Sequence, residues 1–222
     1  MSSNREIERK FLVKPSYFTD GVPNFKYRYA IRIQQGYLVQ SSNENEHRLV
    51  RVRLEGGLAY IAFKSSVNQS IERVEIETQI DKAVALSLLE QCPNLINKMR
   101  YYVDAEDRNV WEVDVFEGEN QGLFVGEIEL KSVHDTFIVP EWCDVEVTHD
   151  SRYNNNNLSN FPFKKWSESV IKQAAQMFDL EDEVDNLYIS WNPYMTDGFI
   201  CHVKSNAIIC NVSDIWKKSF FG

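Results

Sequence analysis

The chain repeatedly places charged side chains two residues apart. Glu6, Glu8 and Lys10 share one side of an alternating run, with Ile7, Arg9 and Phe11 on the other. Arg51 and Arg53 form a second set, and Arg73, Glu75 and Glu77 a third. Lys64 ends a further run; Lys98 with Arg100, Glu112 with Asp114, and Glu127 with Glu129 and Lys131 continue the series. On a β-strand, residues i and i+2 point to the same face, so each set lies side by side. Like charges placed this way repel unless something binds between them. Clustered carboxylates suit a hard divalent cation, and clustered Arg and Lys suit phosphate. For any one set, a half-buried sheet with a solvated charged face is the favoured explanation, since such faces are ordinary. Recurrence in nearly every run, in both acidic and basic sets, instead favours a closed barrel with these residues inward. The charge pattern alone leaves both readings open.

Such faces need strands to carry them. Period-two alternation predicts strands over residues 6–13, 47–54 and 71–80, with further runs at 60–64, 98–103, 110–116, 125–131 and 144–148. Gly56-Gly57 reads as a hairpin turn, and residues 118–122 close another. Helices are predicted at 81–91, with Val84, Leu86, Leu88 and Leu89 buried, and at 163–178. The polar run 154–157 reads as a loop. The fold class is α+β, built on an antiparallel sheet or barrel whose apolar outer faces the helices cover.

Composition narrows the function. With 222 residues, the chain holds one sizeable domain and an appendage. A formal net charge of -9 excludes a broad basic face for nucleic acid, so no nucleic-acid partner is expected. It does not exclude an anionic ligand held by a local basic cluster. Cys92, Cys143, Cys201 and Cys210 follow no metal or disulfide spacing. Together with the absence of a secretory or membrane-spanning run, they imply a cytoplasmic protein with no membrane partner.

In this setting the motif Glu6-Ile7-Glu8-Arg9-Lys10 resembles the Glu-x-Glu-x-Lys signature of the CYTH, or triphosphate tunnel metalloenzyme, superfamily. The similarity continues in order through Gln35-Gly36-Tyr37-Leu38, Arg51-Val52-Arg53, Phe63-Lys64, Arg73-Val74-Glu75-Ile76-Glu77 and Lys98-Met99-Arg100-Tyr101. It ends with Glu112-Val113-Asp114-Val115-Phe116, Glu127-Ile128-Glu129-Leu130-Lys131 and Glu146-Val147-Thr148 before Arg152-Tyr153. The match covers about residues 4–178.

The resemblance implies an eight-stranded antiparallel β-barrel tunnel flanked by helices, at 1–180, with a small β-rich C-terminal extension at 181–222. It implies Mg²⁺ or Mn²⁺ held by Glu6, Glu8, Glu127 and Glu129. It implies a triphosphate gripped by Lys10, Arg51, Arg53, Lys64, Arg73, Lys98, Arg100 and Lys131, with Glu75, Glu77 and Asp114 as acidic tunnel support. Glu6, Glu8, Lys10 and Tyr37 are the catalytic candidates, Glu6 or Glu8 taking a proton from the attacking water. Tyr37 either positions substrate or packs on the rim. Residues 35–38 and 141–153 look most like the small bacterial members that hydrolyse inorganic tripolyphosphate. The alternatives are a class IV-type adenylyl cyclase, which releases pyrophosphate, and a non-catalytic polyphosphate or nucleotide binding module.

Beyond the tunnel pattern lies an acidic connector at 181–185, then short strands at 187–191, 199–203 and 207–212. This reads as a small meander of no recognised family, able to serve as a homodimer or partner contact. His202 has no second ligand at useful spacing, and Trp142, Trp166 and Trp191 read as packing residues.

Overall fold

The computed structural model describes residues 5–42, 46–67, 73–166, 175–176, 187–191, 198–202 and 208–211. They form two compact units, Met1–Asn160 and Phe161–Gly222. In the first unit β1 is Arg5–Val13, followed by the short pair β2 (Phe18–Thr19) and β3 (Val22–Pro23). Then come β4 (Tyr29–Ser42), β5 (Glu46–Glu55), β6 (Leu58–Val67) and β7 (Arg73–Gln79). After helix α1 (Lys82–Leu89) the chain adds β8 (Leu95–Asp104), β9 (Val110–Phe116), β10 (Phe124–Leu130) and β11 (Cys143–Glu146), and helix α2 spans Asn155–Asn160. The second unit contains β12 (Leu187–Trp191), β13 (Gly198–His202) and β14 (Ile208–Asn211).

Nine strands make one antiparallel sheet, in the order β10-β9-β8-β4-β5-β6-β7-β1-β11. Strand β1 has three partners. It pairs with β7 at Arg5 and Glu6, with β11 at Phe11 and Val13, and along Ile7–Leu12 with β10, the strand at the far end of that order. The predicted α+β class and its strands agree with this sheet. Strand β4 is the exception: it is 14 residues long, and only its 35–38 segment stood out in the sequence. Its polar Arg32, Gln34 and Gln35 break the apolar alternation, yet it joins β5 to β8 in the sheet.

The hairpin at Gly56-Gly57 has both residues at positive φ, +57° and +97°, the geometry that favours glycine in a two-residue turn. Gly36 has a different role. A Cβ there would lie 2.6 Å from Cys92 Sγ, 2.7 Å from Cys92 Cβ and 2.9 Å from Leu95 Cδ2. Gly36→Ala is therefore expected to destabilise the fold by about 1–3 kcal/mol through overpacking, read as a lower urea midpoint. An unchanged midpoint would refute this close approach.

Alternate residues of the strands face away from the charged side and make the core. Ile7, Phe11, Tyr101, Val103, Trp111, Val113 and Ile128 pack with Trp142 and Cys143. The aromatic rings interlock edge-on, Trp111 lying 5.5 Å from Phe11 and 5.4 Å from Trp142 between centroids. Helices were expected to cover these faces. Over this part of the sheet the cover instead includes Phe18 of β2 with Tyr17, Phe25 and Phe137 from the connecting segments. Helix α1 covers a separate patch of Val52 and Ala59 with Ala85 and Leu89. Asp81 caps it, its carboxylate accepting from the Ala83 and Val84 amides. Val84 and Leu86, expected inside, are exposed, because the 3.6-residue period turns Ala85, Leu88 and Leu89 to the sheet instead.

The run read as a loop at 154–157 begins a helix. The Leu158 amide donates to the Asn154 carbonyl, and the Asn157 side chain donates to the Ser151 carbonyl. Side-chain bonds of this kind let asparagines start a helix that their propensity alone disfavours.

In the second unit, β12, β13 and β14 form an antiparallel meander close to the predicted bounds. Trp166 is buried and donates to the Phe161 carbonyl, a packing role. The predicted helix at 163–178 is seen at 163–166 and 175–176, its other residues lying outside the described ones. So do the acidic connector and the side chains of Trp191, Cys201, His202 and Cys210. Cys92 and Cys143 are free thiols. Among the described residues, no helix is long and apolar enough to cross a membrane.

Candidate active site

The charged faces converge on one cavity of about 200 Å³. Its cationic lining is Lys10, Arg51, Arg53, Lys64 and Arg100, and its acidic lining is Glu8, Glu75, Glu77, Glu112, Glu127 and Glu129. Tyr37, Leu49 and residues 154–156 complete the wall.

Strand register explains the convergence. Lys10 on β1 lies directly across from Glu127 on β10, Glu127 across from Glu112 on β9, and Glu112 across from Tyr102 on β8. On the other side, Tyr37 faces Arg51, Arg51 faces Ala62, and Ala62 faces Glu77. Because side chains alternate with period two, every member of these rows projects inward. Glu8 and Glu129 are direct cross-strand neighbours, two like charges facing each other.

Ion pairs organise the lining. Lys10 Nζ contacts Glu8 Oε1 at 2.8 Å and donates to Glu127 Oε1. Arg100 grips both oxygens of Asp114, at 2.7 and 2.6 Å, and also reaches Glu112 and Glu127. Arg51 spans Glu75 at 3.0 Å and Glu77 at 2.6 Å, and Lys64 meets Glu75 at 3.0 Å. The Nε atoms of Arg51 and Arg53 are buried without a hydrogen-bond partner. Both residues line the cavity, where a guanidinium suits an anion.

These contacts set the protonation states. Burial alone would lower the Lys10 ammonium, but Glu127 and Glu8 outweigh it and hold it above the ordinary lysine value. Burial would raise Glu127, yet Lys10, Arg100 and Lys98 hold it well below the usual carboxylate range. Glu112 is raised by burial, with Glu127 and Asp114 adding to the effect against Arg100. Burial pushes the Tyr37 phenol up to about 12, so it stays protonated at neutral pH. Gln35 donates to its oxygen at 2.8 Å, leaving the hydroxyl proton to be donated.

Of the residues named from sequence, Glu8, Lys10, Tyr37, Arg51, Arg53, Lys64, Glu75, Glu77, Arg100, Glu127 and Glu129 line this cavity. Lys98 and Asp114 lie behind the wall, both fully buried and joined at 2.5 Å. Lys131 is exposed just beyond β10 and does not line the cavity. Glu6 and Arg73 are direct partners at the β1–β7 pairing, and their side chains lie outside the described ones. Glu112 and residues 154–156 were missed as site residues. Glu112 shares the i, i+2 spacing with Asp114, a signal open to reading; the asparagines carry no charge and gave none.

The donor set allows a test of metal binding. Glu8, Glu127 and Glu129 offer hard oxygen ligands suited to Mg²⁺ or Mn²⁺. Among the described residues, no three acidic, Cys or His side chains are gathered to hold an ion, and Glu8 and Glu127 both engage Lys10.

Comparisons with known proteins agree with this geometry. No protein-family model matches the chain. An inorganic triphosphatase of Acetivibrio thermocellus is 36% identical over 166 residues, covering 74% of this chain and 99% of that protein. An inorganic triphosphatase of Nitrosomonas europaea is 34% identical over 157 residues, covering 69% and 96%. A crystal structure of an inorganic triphosphatase superimposes with a TM-score of 0.51 at 32% identity, over 69% of this chain and 97% of the other. With its ordered motifs gathered around one charged cavity, the chain belongs to the CYTH, or triphosphate tunnel metalloenzyme, superfamily, in its inorganic triphosphatase branch.

Proposed function

We propose that this protein hydrolyses a linear triphosphate, inorganic tripolyphosphate foremost, and releases orthophosphate. The observation that carries the reading is the convergence of Arg51 and Arg53 with Lys10, Lys64 and Arg100 on one cavity wall. Pairing of β1 with both β7 and β10 supports an eight-stranded tunnel around that cavity, with β11 outside the ring. The activity is assigned to residues 1–180 and an appended role to 181–222. In support, the alignment with the A. thermocellus relative takes in 99% of that protein but only 74% of this chain.

Charge balance supports a cation requirement. Six carboxylates against five cations leave the lining formally at -1, a poor host for a bare polyanion. Glu8, Glu127 and Glu129, with Glu6 beside them in β1, would hold Mg²⁺ or Mn²⁺, which would neutralise phosphate charge and favour attack at phosphorus. Arg51, Arg53 and Arg100 orient the phosphoryl oxygens, and Lys10 and Lys64 add point charges. The Tyr37 hydroxyl donates to a phosphoryl oxygen, and Glu8 or Glu6 takes the proton of the attacking water.

Orthophosphate release is expected to be fastest from tripolyphosphate, slower from ATP and thiamine triphosphate, and absent in EDTA. Cyclic AMP and pyrophosphate from ATP, or tight binding of tripolyphosphate with no release, would overturn the reading.

A further inference from the structure

Along β5 the cavity wall passes from Arg53 through Arg51 to Leu49. Leu49 faces Gln40 on β4, and the Gln40 side chain accepts from Asn160 of α2 at 2.8 Å. Residues 154–156 therefore line the end of the cavity nearest α2, where charged groups give way to amides.

Asn155 is fixed there by a cation behind the wall. Lys98 Nζ donates to Asn155 Oδ1 at 3.3 Å while it holds Asp114 at 2.5 Å. An ammonium has donors only, so it selects the carbonyl oxygen of the amide. Asn155 lines the cavity, and its NH₂ group, with two uncharged donors, is not engaged by the ammonium. Its neighbour differs, since the Asn156 amide donates to Asn157 Oδ1 at 3.2 Å.

We propose that Asn155 is a substrate-binding residue whose amide donates to a phosphoryl oxygen of the triphosphate at the α2 end of the cavity, Lys98 being the positioning residue that sets the amide's direction. This rests on the triphosphate reading above and adds to it. Lys98, expected from sequence to touch the phosphates, acts through Asn155 and Asp114. A neutral donor at this end contributes direction without charge, so it fixes where the polyphosphate stops along the tunnel.

Asn155→Asp tests the assignment. The substitution keeps an oxygen for Lys98 but turns the donor side into a carboxylate facing phosphate. KM for tripolyphosphate is expected to rise at least tenfold, with kcat changed less and the melting temperature not lowered. Asn155→Ala, which removes the donor without adding charge, should raise KM by a smaller factor. Asn160→Ala loses the bond to Gln40 in the same short helix and should leave KM unchanged. Wild-type KM in Asn155→Asp, or an equal rise in Asn160→Ala, would overturn the inference while triphosphate hydrolysis stands. A wild-type protein that releases no phosphate from tripolyphosphate would remove both.

Discussion

Lys10→Ala is expected to lower turnover of tripolyphosphate by on the order of 10²–10³-fold and to destabilise the fold by about 3–5 kcal/mol. Both effects come from one position. Lys10 is 4% exposed and sits between Glu8 and Glu127, whose carboxylates it neutralises at the cavity wall. Without it, Glu127 keeps Arg100, while Glu8 and Glu129 still face each other across β1 and β10. The cavity also loses one of its five cations, so a polyphosphate meets a more negative wall. Glu8→Ala separates the two effects. The Glu8 side chain is 22% exposed, and its loss leaves Lys10 paired with Glu127, so turnover should fall with little loss of stability. Urea unfolding and phosphate release on both variants make the comparison. Equal stability losses in the two would refute the distinction between a buried and a rim charge; full turnover in either would refute the site.

That distinction marks how far the sequence could be read. Period-two alternation located β1, β5, β7, β8, β9 and β10 and the charged face of each, because the side-chain period of a strand is fixed by its pleat. It therefore identified which of Ile7 to Phe11 share a face. It could not say that Lys10 would be buried while Lys131, at the same spacing from Glu129, would be exposed. That difference follows from register and strand ends: Lys10 lies across from Glu127, whereas Lys131 falls just past the end of β10. Strand β4 was legible only at 35–38, because its buried inward residues include Gln35 and Ile33 together and no polar–apolar alternation results. The asparagine run failed for another reason. Its helix depends on bonds to Ser151 and on a position beside Lys98, contacts distant in sequence or specific to one side chain. Charge spacing found the charged groups that line the cavity and had no means of finding a neutral one.

The buried ion pair behind the wall gives the second large effect. Asp114 is fully buried and accepts from Lys98 at 2.5 Å and from Arg100 at 2.7 and 2.6 Å. Asp114→Ala should cost about 3–5 kcal/mol, because it takes the ion-pair partner from the fully buried Lys98, while Arg100 keeps Glu112 and Glu127. The cost should depend on pH, and the sign follows from Lys98. Burial and the neighbouring Arg100 already lower its ammonium from 10.5 to about 8, with Asp114 opposing them. Removing Asp114 lowers it further. Below its folded value Lys98 is charged in both folded and unfolded chains, and the penalty is complete. Above that value the folded chain binds fewer protons than the unfolded one, so stability rises with pH. In the variant this rise begins below about 8, where the parent is still flat, so the gap between them should narrow from pH 6.5 to pH 8. Urea midpoints at the two pH values measure it. A gap that stays constant would mean that Lys98 does not carry the stranded charge, and a second substitution, Lys98→Met, should then recover none of the lost stability.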